Sequence, residues 1–142
     1  MATASATPAP RWFKSVALVA ILWNAFGVVM YLSTVGMFGD PNAGLSETER
    51  AASAAMPPWL YAAFAIGTFG GLIGSAGLFF RRDWALPMLG VSMLALLAME
   101  GWIVFFSGTL DMYGLAVPIA VSVGSVFLVW LAVYARSRHL LN

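Results

Sequence analysis

The sequence predicts an all-α integral membrane protein, a four-helix antiparallel bundle with a short amphipathic helix in the outer loop between spans 1 and 2. Three observations predict it. The composition is 61% hydrophobic and 9% charged, with a mean hydropathy of +0.87, against roughly 45–50% apolar and about 25% charged in a soluble domain. The 142 residues form one unit, and a soluble fold of this size has too little interior to hide so much apolar surface. Four apolar runs long enough to cross a bilayer follow one another, with the basic residues segregated between them.

Residues 1–10 are small, polar and proline-containing, the composition of a disordered tail. With Arg11 and Lys14 they make a cytoplasmic tail over 1–14. The first span is expected at about 15–38. Its apolar run exceeds the roughly 7–15 residues of a signal-peptide core and lacks a small-residue cleavage site, so it reads as an uncleaved helix. The loop over 39–57 opens with turn chemistry in Gly39, Asp40, Pro41 and Asn42. Ser46 and Glu49 match a capping box, which predicts an Ala-rich helix from Glu47 to about Ala55. That helix is expected to rest on the membrane surface or on the bundle. Pro57 stops it, and Pro58 suits the first turn of the next helix.

The second span is expected at about 59–80 and the third at 84–106. Only Arg81, Arg82 and Asp83 separate them, so they form an antiparallel hairpin. A turn at 107–114 leads to the fourth span at 115–135, and residues 136–142 form a basic tail. Six of the seven basic residues fall on one side: Arg11, Lys14, Arg81, Arg82, Arg136 and Arg138. The other side holds Arg50 with Asp40, Glu47, Glu49 and Asp111. The positive-inside rule then places both termini in the cytoplasm of a multi-pass protein. Trp12, Trp59, Trp84 and Tyr134 fall at the expected interfaces, where such rings concentrate. Pro87 and Pro118 fall in first helical turns, where proline breaks nothing.

Composition also narrows the chemistry. A net charge of +1 gives no reason to expect nucleic acid as a partner. The absence of cysteine removes disulfides, thiolate metal sites and quinone-linked thiol redox chemistry. His139 is the single histidine, so no metal site is expected. There is no nucleophile–base pair and no cofactor motif, so neither an enzyme nor a bound cofactor is expected.

The polar and small residues of the spans carry what remains. Gly67, Gly70, Gly74 and Gly77, widened by Gly71 and Ser75, form a stripe on the second span. Small residues let helices approach closely in lipid, either within one bundle or across a dimer face or substrate groove. Glu100 is the one acid inside a span. It lies six residues before Phe106, roughly 9 Å in from the outer end at 1.5 Å per residue. A carboxylate there is costly and calls for a partner or a proton. Counted depth puts Tyr31, Ser33, Thr34, Thr68 and Ser122 near its level as possible donors. It is either a binding or proton-coupling group in a cavity open to the outside, or a hydrogen-bonded lock between helices. Asn24, Ser75, Ser92 and Ser125 fall near a second, deeper level, where interhelical hydrogen bonds act as glue.

Met56-Pro57-Pro58-Trp59, the Ala65–Gly71 run, Arg81 through Pro87, and Leu22 through Val28 together give a pattern over about 15–106. In it the chain resembles a group of small uncharacterised four-span inner-membrane proteins of proteobacteria, some labelled sugar transporters. The resemblance implies a four-span fold and carries over no site residue. Two functions follow as expectations. One is helix–helix association, as an oligomer or an accessory subunit of a larger membrane complex. The other is transport of a small solute, proton-coupled or sugar-type, by an oligomer with Glu100 as binding or coupling group.

Overall fold

The computed structural model describes residues 8–142, apart from the side chain of Tyr113. Six helices follow in order: α1 (Arg11–Thr34), α2 (Glu47–Ala54), α3 (Pro58–Phe79), α4 (Ala85–Phe106), α5 (Leu110–Tyr113) and α6 (Ala116–Ser137). Four of them, α1, α3, α4 and α6, are long and apolar enough to cross a bilayer. Their outward faces are apolar as well: Val19, Leu22, Leu94 and Val123 are each more than 60% exposed. In water that surface would be untenable; in lipid it is the solvent-facing side. The protein is a multi-pass membrane protein of the all-α class.

The helix ends differ from the sequence expectation in instructive ways. α1 begins at Arg11 rather than at residue 15, because Pro10 stands in a non-helical conformation as its N-cap and Arg11 and Lys14 are good helix formers. The expected tail over 1–14 thus shortens at its end; residues 1–7 lie outside the described residues. The apolar run continues to Phe38, yet α1 stops at Thr34. Gly36 takes φ +82°, and Gly36 N–H and Met37 N–H donate to the carbonyls of Ser33 and Leu32 at 3.1 and 2.9 Å. This is a Schellman closure, in which a left-handed residue ends a helix whatever the hydropathy. α3 and α6 close in the same way around Arg81 (φ 61°) and His139 (φ 53°). α6 therefore runs two residues into the expected tail. The turn before it carries α5, a single helical turn that polarity alone did not reveal.

α2 forms as its capping box dictates. Ser46 N–H donates to Glu49 Oε2 at 2.8 Å, and Glu49 N–H donates to Ser46 Oγ at 3.3 Å. None of its residues is buried.

α3 is the most buried span and packs on α4 at one face and α1 at another; α4 in turn packs on α6. One core cluster lies at the end of the bundle that carries the termini, with Phe13, Ala17, Leu78, Leu131 and Ala135. Leu140 and Leu141 fold back into it. The chain end is strapped to the α3–α4 link: Asn142 N–H donates to the Arg81 carbonyl at 2.6 Å, and Asp83 N–H donates to the Asn142 carbonyl at 3.0 Å. A second, smaller cluster of Leu60, Ala63, Leu96 and Met99 lies toward the end that carries the long loop.

Candidate functional site

The glycine stripe decides the helix spacing. A β-carbon on Gly67 would meet Leu96, one on Gly74 would meet Leu89, and one on Gly77 would meet Trp84 and Ala85, while Gly70 lies against Ser92. All four face α4. Gly71 faces α1, where a β-carbon would overlap the Asn24 amide. The stripe is thus spent inside one bundle, on both neighbours of α3.

That close approach brings the deeper polar residues together. Asn24 Nδ2 donates to Ser75 Oγ at 3.1 Å and to the Ala20 carbonyl at 2.9 Å. Ser92 Oγ donates across to the Gly67 carbonyl at 2.6 Å. Ser125 Oγ donates within its own helix, to the Ser122 carbonyl at 2.9 Å. Asn24, Ser92 and Ser125 nevertheless line one small space of about 20 Å³, enough for a single water.

The loop end is built differently. α1 and α6 meet at the termini end, where Trp12 stands 6.1 Å from the Tyr134 ring. They still meet at Trp23, whose indole nitrogen is 3.7 Å from where a β-carbon on Gly124 would stand. Elsewhere along their length they are not a closely packed pair. The gap is a cavity of about 690 Å³, walled by Phe26, Gly27 and Met30 of α1 and by Ala116, Val117 and Ala120 of α6. Thr68 of α3 and Glu100 of α4 lie at its back, and Met56, Thr109 and Leu110 at its loop-end rim. Trp23, Asn24, Leu96 and Val121 border both this cavity and the small one, as a partition between them.

Glu100 is 94% buried by exposure (6% accessible) and lines the cavity. It makes no hydrogen bond or ion pair with any described residue. No buried side-chain oxygen or nitrogen in the described residues is both sealed and unpartnered, so the Glu100 carboxyl reaches the cavity space. Three of the residues expected as its donors bond within their own helices. Thr68 Oγ1 donates to the Phe64 carbonyl at 2.9 Å. Ser33 and Thr34 donate to Val29 and Met30 carbonyls at 3.0 and 2.8 Å. Tyr31 packs edge-on against Phe64 and Phe69. Of these candidates Thr68 shares the cavity wall with Glu100; Tyr31 and Ser122 do not border it.

The walls on α1 and α6 were not visible as a site in the sequence, because they are apolar and carry no reactive group. One signal was available. Ala116, Ala120 and Gly124 repeat at every fourth residue of α6, a stripe of small side chains on the face turned to α1. On α3 such a stripe is filled by its neighbour; on α6 its outer two residues border open space. Among the described residues, no three of His, Cys, Asp or Glu come together in a way that could hold a metal. No protein-family model, curated protein or solved structure matches this chain.

Proposed function

We propose that the protein binds and transports a small, mainly apolar solute across a bacterial inner membrane, with Glu100 as the polar anchor of the solute. The observation that carries this reading is the cavity of about 690 Å³ with a buried carboxyl on its wall that no described residue partners. Its volume falls in the range of roughly 300–1,000 Å³ common for small-molecule sites, which are likewise mostly apolar with a few polar groups. A carboxyl placed to lock helices would have a hydrogen-bond partner on a neighbouring helix, as Asn24 has in the Ser75 hydroxyl that accepts from it. Association, the other expectation from the sequence, drew on the glycine stripe of α3, the short links and the shortage of reactive groups; of these, the stripe is consumed inside the bundle. A sugar fits poorly, because the hydroxyls and amide at the cavity wall already donate elsewhere. The distribution of basic residues supports termini in the cytoplasm and a cavity opening toward the outside.

Access is testable in the full-length protein, which has no cysteine of its own. Ala120→Cys, on the cavity wall, should react with a water-soluble maleimide. An excess of the neutral aromatic N-phenyl-1-naphthylamine should slow that reaction several-fold. Val126→Cys lies on the exposed side of α6 away from the cavity and should show no such protection. Equal behaviour of the two cysteines would remove the cavity as a solute site.

A further inference from the structure

We infer that the solute is a lipophilic cation, an organic ammonium or phosphonium with an apolar body, whose charge sits against the Glu100 carboxylate. This rests on the cavity being the solute site. Among the described residues, Glu100 is the one ionisable side chain on the cavity wall, and no basic residue stands there to pair with it. Six of the seven basic residues lie at the termini end, and Arg50 lies exposed on α2. Buried charges in proteins are paired, since an isolated one loses its hydration without return. Here the chain supplies a carboxyl that is stable as an anion only when a cation stands against it, and the ligand brings that cation.

The rest of the wall selects in the same direction. An anionic solute would meet Glu100 with nothing to offset the repulsion. A neutral polyol would bury hydroxyls beside few free donors: Thr68 is bonded to its own helix, Asn24 Nδ2 to Ala20 and Ser75, and Thr109 Oγ1 pairs with Ser107 Oγ at 2.6 Å. An apolar body matches Leu96, Ile103, Val117 and Val121. Trp23, Phe26 and Phe64 add aromatic rings to the same wall, and ring faces attract organic cations, most strongly when both are desolvated.

The test uses the full-length protein in lipid nanodiscs, with tetraphenylphosphonium as the cationic probe and N-phenyl-1-naphthylamine as the neutral one. Wild type should bind the cation at least tenfold more tightly than the neutral probe. Glu100→Gln should lose that tenfold preference, and Glu100→Asp should keep it in part. If Glu100→Gln does not fold, the wild-type preference and its retention in Glu100→Asp decide the matter. Equal binding of the two probes by wild type overturns the cation and leaves the solute cavity standing. No binding of either probe overturns both.

Discussion

Gly71 shows how much a single hydrogen atom decides in this bundle. Its missing β-carbon is the space that the Asn24 amide occupies, with Ser92 Oγ close beside it. Gly71→Ala should cost about 1–3 kcal/mol, as overpacking of a filled interior does, read as a loss of resistance to SDS-induced unfolding in mixed micelles. Gly90 on α4 has nothing within 4 Å of where its β-carbon would stand. Gly90→Ala should therefore be neutral or gain about 0.5–1 kcal/mol, the ordinary helix advantage of alanine over glycine. The sequence marks both positions only as glycines in helices. The difference between them comes from the neighbouring helix, which composition and spacing do not reveal. Glu100 is the same lesson with the opposite sign. Its depth was legible from counting residues, but its lack of a partner was not, because the hydroxyls of Ser33, Thr34 and Thr68 took a second choice in their own helices. Serine and threonine in helices regularly take that choice by bonding to the carbonyl three or four residues back.

Helix length was legible where a cap decides it and illegible where hydropathy was used in place of one. The Ser46–Glu49 box is local, so it could be read directly and it forms as read. Glu49 also reports on it. The Ser46 N–H, and then the Ser46 hydroxyl, hold its carboxyl below the ordinary value of 4.5. A carboxyl whose folded value lies below its unfolded one stabilises the fold above the unfolded value, and that contribution fades as the pH falls through the folded value. Acidifying from pH 6 to well below the ordinary value of 4.5 should therefore unwind α2 ahead of the spans. Amide exchange at Glu49 and Arg50 would show it, and Glu49→Gln should abolish the pH dependence. α1 could not be bounded so simply, since Val35 to Phe38 are as apolar as the helix before them. The stop lies in the backbone of Gly36, whose left-handed conformation is cheap for glycine alone. Arg81 and His139 hold the same position in α3 and α6 without that advantage. At Arg81 the side chain adds a bond from Nε to the Leu140 carbonyl at 2.6 Å.

At the scale of the whole molecule, four spans and a basic end predict opposite sides for the long loop and the termini. With a maleimide that cannot cross the inner membrane, Ala43→Cys should label in intact spheroplasts and Ser137→Cys only after lysis. The reverse pattern would invert the protein and turn its cavity to the cytoplasm. The bundle is closed at the termini end by Phe13, Leu78, Leu131 and the returning Leu140 and Leu141. It is open between α1 and α6 toward the loop end. The sequence by itself determined the number of spans, the loop helix and the clustering of charge, because hydropathy and capping act over one or two turns. Tertiary structure alone decided that the α3 glycines are spent inside the bundle, that the small residues of α6 border a cavity, and that Glu100 faces that cavity without a partner. Those three facts depend on which helix lies beside which, and in lipid that choice follows from the fit of surfaces and not from apolarity, which all four spans share.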